Sequence, residues 1–311
     1  MDTELLRYIG HRLYQTEYLK EWKRYLVFRA RCRMHAALME EVLDFFAATP
    51  LRREMLRGTP AFAEQVTRAF FYKGSDWQDR WDLVRHHVEF MERNFTEEAL
   101  RALYVEVRDH QNVGQRLVLW QEESEGQPLQ LALWFNAGQR KEGCLSLVLE
   151  LGDEALYQIM FWFGKSLSEP TRDAIWVGAL QGTPNGSAAI KRLTKEFFGY
   201  RTKNLVFYGL RSLARCLGLD EIYAVTNEGY YAMNHVRRDR KLKTDFGEFW
   251  KECEGVPCGS DSRFFRLPVA EYRKVMSELK PSKRAQHRRR FARLDAIDAA
   301  FDASCKAWRR E

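Results

Sequence analysis

The chain has 311 residues, 45% apolar and 14% aromatic, enough to bury a large core in one or two domains, so global disorder is excluded. Its 50 Lys and Arg against 43 Asp and Glu give a net charge of +7, and seven cations (Lys280, Lys283, Arg284, Arg288, Arg289, Arg290, Arg293) share one acid-free stretch. No run approaches the ~18 apolar residues of a spanning helix, residues 1–30 lack the apolar core of a secretion signal, and the six scattered cysteines read as reduced thiols, so a cytoplasmic protein is expected.

Residues 1–48 carry a helical period: Leu5, Leu6, Ile9 and Leu13, then Leu19, Trp22 and Leu26, then Leu38, Val42, Leu43 and Phe46. Lys20, Lys23, Arg24, Arg29, Arg31 and Arg33 fill much of the other face. Such a helix either lies on an anionic membrane or packs on its own domain. Thr59-Pro60 predicts a helix start with Thr59 as N-cap. Further helices are predicted over 76–90 and 96–107, which makes 1–112 a helical domain.

Near Gly114 the pattern changes. Segments 116–121, 129–135, 144–151, 156–163 and 174–180 are short and apolar, and Gly, Pro, Asn or Asp bound them. They predict an antiparallel meander with turns at 126–128 and 152–153. Helices follow at 187–197 and 203–217, the second closed by Gly218. Next come a strand at 221–225, a polar stretch with helical potential at 228–241, and a strand at 263–267 stopped by Pro268. Helices are predicted at 270–279 and 282–308, the last with Ser282 as N-cap. The fold class is α+β, with a mixed-sheet domain over 113–311 ending in a basic helix.

The segment 174–227 is the most informative for chemistry. A helix N-terminus attracts phosphate, and Arg201 and Lys203 stand at one, after the turn that holds Gln181 and Gly182. Arg grips an anion with two donors, and Lys adds a mobile charge. The alternative is a pair of surface cations. The run Arg201-Thr202-Lys203-Asn204-Leu205-Val206, continued by Leu210, Leu213-Ala214, Leu217-Gly218-Leu219 and Ile222-Tyr223-Ala224-Val225-Thr226-Asn227, resembles the core of GNAT-superfamily acyltransferases. Thr202 and Asn204 stand where that family carries glycines, and an extra helix precedes the loop. The resemblance implies an activated acyl donor such as acyl-CoA, held near Gln181, Gly182, Arg201, Lys203 and Asn204, with Asn227 close to the acceptor. Glu228, Tyr231 and His235 follow that strand end. Glu228 is the candidate base and Tyr231 the candidate leaving-group acid, with His235 one helical turn from Tyr231.

A longer resemblance runs from Trp120 to Trp308. It rests on Trp176-Val177-Gly178-Ala179-Leu180-Gln181-Gly182, Ile190-Lys191-Arg192-Leu193-Thr194-Lys195, Gly199-Tyr200-Arg201-Thr202-Lys203 and Ala224-Val225-Thr226-Asn227. It continues through Arg237-Arg238, Asp245-Phe246-Gly247-Glu248-Phe249-Trp250, Phe264-Phe265-Arg266-Leu267-Pro268 and Pro281-Ser282-Lys283-Arg284-Ala285. These elements resemble the VirK/YbjX family of bacterial proteins. The family is associated with envelope properties, virulence and resistance to cationic antimicrobial peptides, and the resemblance supplies no reaction.

The leading expectation is acyl or aminoacyl transfer from acyl-CoA, a carrier protein or aminoacyl-tRNA to an amine or hydroxyl. The rival is a non-enzymatic protein that binds an anionic small molecule, a lipid headgroup at the inner membrane face, or nucleic acid such as tRNA. Asp82 and His86 have metal-compatible spacing but no third ligand, Cys253 and Cys258 lack a second pair, and Asp245-Phe246-Gly247 matches a kinase motif by letters alone. No metal is expected.

Overall fold

The computed structural model describes residues 3–106, 115–183, 186–234 and 245–310. The domain boundary expected at 112/113, His235 and Arg237-Arg238 lie outside the described residues.

The first 48 residues form three helices rather than one: α1 (Thr3–Leu13), α2 (Leu19–Met34) and α3 (Ala36–Ala47). The chain breaks at His35, whose backbone leaves helical geometry and whose ring stacks 3.8 Å from that of Trp77. Folding back buries Leu6, Ile9, Val42, Leu43 and Phe46 of the apolar period, but α2 turns Phe28 and Cys32 inward and leaves Leu19, Trp22 and Leu26 exposed. α4 (Pro50–Gly58) follows, with Thr49 Oγ1 accepting from Arg52 N at 3.2 Å and Pro50 in the first turn. Thr59 does not cap the next helix, α5 (Ala61–Thr67). It closes α4 instead, and its hydroxyl donates to Tyr104 O at 2.8 Å. α6 (Trp77–Asn94) opens on a reciprocal cap between Asp76 and Asp79, and α7 (Glu97–Tyr104) on Thr96.

The expected meander is present. Strands β1 (Leu117–Ser124), β2 (Gln127–Trp134), β3 (Leu145–Leu151), β4 (Glu154–Lys165) and β5 (Asp173–Gly182) pair antiparallel in sequence order. Helices α8 (Ser187–Glu196) and α9 (Thr202–Cys216) then cross over to β6 (Ile222–Val225), which lies parallel to β5. Gly218 (φ 70°) closes α9, with Leu219 N donating to Ala214 O at 2.9 Å. Beyond lie α10 (Phe246–Glu252), β7 (Val256–Pro257), β8 (Phe264–Leu267) and α11 (Pro281–Trp308). The sheet order is β1-β2-β3-β4-β5-β6-β8-β7.

Residues 270–279 are an extended strap with one 3-10 turn at Met276–Glu278, not a helix. Tertiary bonds hold the strap out: Tyr200 Oη donates to Glu271 at 2.6 Å, Arg273 donates to Tyr208 Oη at 2.6 Å, and Tyr272 N donates to Glu254 at 3.1 Å. At α11, Lys280 takes the N-cap position expected of Ser282, and Pro281 fits the first turn.

α9 packs on β3, β4 and β5, α11 packs on α9 and β1, and α6 packs on β4. One apolar cluster joins the helices to the sheet. Within it His87 is fully buried and stacks on Phe163. Its Nδ1 accepts from Phe163 N at 3.2 Å and its Nε2 meets Tyr104 Oη at 2.8 Å.

Candidate functional site

The parallel pair defines the site. β5 and β6 stay in register only over Ile175–Val177 and Ile222–Ala224, after which β6 ends and β5 runs on to Gly182. The β4–β5 ladder slips there by one residue, leaving Gly178 without a cross-strand partner. The gap takes in Glu142, from the loop between β2 and β3. A Cβ at Gly178 would stand 1.9 Å from Glu142 O, so only glycine admits this approach.

The helical half of the chain holds that loop in place. Gln65 Nε2 donates to Arg140 O at 2.8 Å and to Gly143 O at 2.9 Å. Arg140 pairs with buried Glu64, and Phe71 N donates to Lys141 O at 2.8 Å. Phe71 is buried and left-handed (φ 67°), a costly conformation for a bulky residue. Two residues on, Lys73 N donates to Gly229 O at 2.8 Å, and Tyr72 bridges Tyr230. Segment 71–73 therefore ties the Glu142 loop to the turn after β6.

At the centre, Glu142 is 3% exposed. Its Oε1 accepts from Gln181 Nε2 at 2.8 Å and from Tyr230 Oη, while Oε2 is buried without a partner among the described residues. Burial raises the carboxyl to about 7, against the lowering pull of the Tyr230 hydrogen bond, the Lys141 charge and the Gln181 hydrogen bond. Tyr230 is itself pushed far above its ordinary value, first by burial and then by Glu142, so its proton stays on. Gln158, opposite Gln181 on β4, also buries an unpartnered Oε1.

Of the residues expected in the site, Gln181 and Gly182 lie here. Tyr231 is buried, its ring 4.8 Å from that of Tyr230 and 6.1 Å from that of Phe70. Asn227 uses both side-chain atoms on the start of α10, accepting from Phe246 N at 2.8 Å and donating to Asp245 at 3.0 Å. Asp245, the first letter of the kinase-like motif, caps that helix through Glu248 N at 3.0 Å. Glu228 is exposed.

Arg201, Lys203 and Asn204 lie at the start of α9, where no side chain caps the amides. Arg201 donates to Glu252 at 2.6 Å, and Lys203 sits 3.6 Å from the same carboxylate and 4.6 Å over the Phe249 ring. Glu252 is held below the usual carboxylate range, chiefly by the Arg201 hydrogen bond. Asn204 buries an unpartnered Oδ1. Tyr157, opposite Gly182, feels the Arg201 charge. By strand alternation Tyr157 projects to the face under α9, and Gln158 and Gln181 to the opposite face. The cationic group and the Glu142 group therefore occupy opposite faces of one sheet end, with the gap beyond β6 between them.

Other candidates resolve differently. His86 pairs with Asp173 at 2.9 Å, and no metal-holding cluster occurs among the described residues. In α11, Arg284, Arg290 and Arg293 donate to the carbonyls of Leu279, Phe198 and Glu196, while Lys280, Lys283, Arg288 and Arg289 are exposed. No described helix is long and apolar enough to cross a membrane. Two surface hollows, of about 560 Å³ beside Tyr8 and Phe46 and about 700 Å³ beside Arg93 and Glu221, include none of the Glu142 group.

Sequence reasoning missed Glu142, Tyr230 and Gln158. The signal that marks Glu142 is a lone acid beside Gly143, between two apolar strands. Nothing local marks Tyr230.

The family model described as "Protein of unknown function (DUF535)" matches residues 17–303. "Uncharacterized protein YbjX" of Escherichia coli (strain K12) is 34% identical over 129 residues, which is 40% of this chain and 38% of that protein's length. With most of its length matched by the family model, the chain belongs to the DUF535 family of bacterial proteins, in agreement with its VirK/YbjX resemblance.

Proposed function

We propose that the protein transfers an acyl group from a thioester donor to an amine or hydroxyl, with Glu142 as general base. One observation carries this reading: a buried carboxyl with a value near 7 and one oxygen left unpartnered, at the bulge where β5 and β6 part. Functional carboxylates are tuned in this way, and a base poised near neutrality combines availability with driving force. Tyr230 and Gln181 fix Oε1 and turn Oε2 to the acceptor.

The acceptor nitrogen or oxygen attacks the thioester carbonyl while Oε2 takes its proton. The new bond to carbon forms, the carbon–sulfur bond breaks, and the sulfur leaves as a thiolate. Tyr231, edge-on to Tyr230, protonates the thiolate, and Glu142 returns a proton to Tyr231. A phosphate-bearing donor such as acyl-CoA meets Arg201, Lys203 and the first turn of α9, which no side chain caps, and shares Arg201 with Glu252. Its acyl end then passes through the gap to the Glu142 face. This layout resembles the donor-and-acceptor arrangement of GNAT acyltransferases.

The test is thiol release from a series of acyl-CoA thioesters with amine and hydroxyl acceptors. Glu142→Gln is expected to lower the rate by about 10²–10⁴ while leaving donor affinity intact. Absence of acyl-CoA binding by calorimetry, or turnover indifferent to Glu142→Gln, refutes the reading.

A second reading, binding of an anionic polymer without chemistry, draws on the exposed cations Lys280, Lys283, Arg288 and Arg289 around the start of α11. Desolvation and the charges of Arg290, Lys274 and Lys283 hold His287 below its usual range there. Binding of tRNA that Lys283→Glu/Arg288→Glu abolishes, without thioester turnover, favours it.

A further inference from the structure

We infer that α2 is a membrane-docking face that seats the protein on an anionic bilayer surface. The helix buries Phe28 and Cys32 on one side. On the opposite side Leu19, Trp22, Leu26, Val27 and Met34 stand between 42% and 71% exposed, and Tyr18, just before the helix, is 61% exposed. At 100° per residue these five side chains and Ala30 share one face. A run of large apolar residues that a folded chain leaves in water marks an interaction surface.

Charge decides the occupant. α2 carries six cations (Lys20, Lys23, Arg24, Arg29, Arg31, Arg33) and one acid, Glu21, which Arg24 already pairs at 2.7 Å. Lys20, Lys23 and Arg33 are exposed too, Lys23 and Arg33 among the apolar side chains and Lys20 at the edge of that face. A second copy of the chain meeting α2 on α2 would set these cations against each other. An anionic bilayer accepts both features, since the apolar residues enter the headgroup boundary, the long cations reach phosphate, and Trp and Tyr favour that depth. The helix lies on the membrane rather than across it, as it is too short and too charged to span.

The face also bears on the site without depending on it. Arg24 of α2 lies within electrostatic reach of Lys141, the neighbour of Glu142: burial first, then Arg140, Arg68 and Arg24, lower the Lys141 ammonium.

The test is cosedimentation of the full chain with vesicles of phosphatidylglycerol and phosphatidylcholine, against vesicles of phosphatidylcholine alone. Binding to the anionic vesicles only is expected, with a loss of about tenfold or more in both Leu19→Ser/Leu26→Ser and Lys20→Glu/Lys23→Glu. Both pairs are exposed, so thermal melting should be unchanged, and the charge pair leaves the apolar stripe whole. Three results overturn the assignment. They are equal binding by all variants, binding lost only in Lys283→Glu/Arg288→Glu/Arg289→Glu, and no vesicle binding together with a dimer that Leu19→Ser/Leu26→Ser dissolves.

Discussion

Tyr230 donates its phenolic proton to Glu142 Oε1 from 88 residues away in sequence, and that bond decides which carboxyl oxygen is left for chemistry. Tyr230 Oη and Gln181 Nε2 occupy Oε1, so Oε2 is the oxygen left for the proposed base role. The two groups perturb each other in one consistent sense. The carboxylate makes the phenol harder to ionise, and the phenol partly offsets the burial that lifts the carboxyl.

Glu142→Gln should separate function from stability. The folded carboxyl holds its proton up to about 7, whereas the unfolded group gives it up near the ordinary 4.5. Between those values the folded state binds more protons, so this group makes stability fall as pH rises through the window. At pH 8 the glutamine variant should be more stable than the parent by about 1–3 kcal/mol, and near pH 4 the difference should vanish. Denaturant melts of both proteins across that range check it. A variant that is less stable at pH 8 would show that the charge is held more comfortably than burial implies.

Tyr230→Phe removes a hydrogen bond that favours the charged carboxylate. The Glu142 value should therefore rise, and the acid limb of a kcat/KM profile should move upward by about one pH unit. The maximal rate should change less than in Glu142→Gln, because Oε2 remains. A profile that keeps its inflexion near 7 would remove Tyr230 from the positioning role.

The parts of this site differ in how far the sequence exposes them. The meander is readable because β2 to β5 are short apolar runs bounded by Gly, Pro, Asn or Asp, and Asp76, Thr96 and Gly218 announce their helices by local hydrogen-bond chemistry. Gln181 and Gly182 could be placed at a strand end for the same reason. Glu142 could not, because its special state depends on Tyr230, on the bulge at Gly178 and on the clamp from Gln65, none of them near in sequence. Residues 270–279 misled in the opposite way. Their helical composition is real, but Tyr200, Tyr208 and Glu254 take the strap's polar groups into tertiary bonds.

In the proposed reaction the donor's phosphate arrives beside Glu252. That carboxylate already holds Arg201 and Lys203, so it competes with any anion for those cations. Glu252→Gln should tighten coenzyme A or inorganic pyrophosphate by about fivefold at low salt, on the scale of one exposed ion pair. Arg201→Ala should weaken the same ligands, and added salt should shrink both effects. Calorimetric titration measures each. Unchanged affinity in Glu252→Gln would place the phosphate elsewhere.

His87 should govern acid sensitivity. Burial, with a smaller push from His86, lowers its imidazole to about 3, against an ordinary 6.5. Because Nδ1 accepts from Phe163 N, the neutral ring must carry its proton on Nε2 and donate it to Tyr104 Oη. A second proton on Nδ1 would break the bond to β4 and charge the core. The unfolded chain takes that proton below 6.5 and the folded chain does not, so stability rises with pH between about 3 and 6.5. Going from pH 6.5 down to pH 5, this one group should cost about 2 kcal/mol. Carboxylates whose folded values are lowered add their own loss only below 4.5, but Glu142, raised to about 7, opposes His87 across this window, so the histidine slope is read in the Glu142→Gln background. His87→Gln should lower stability at pH 7 and flatten the slope between pH 5 and 6.5. An unaltered slope in that variant would assign the acid sensitivity to another group, with His86 the next to examine, since burial lowers it too while Asp173 opposes the shift.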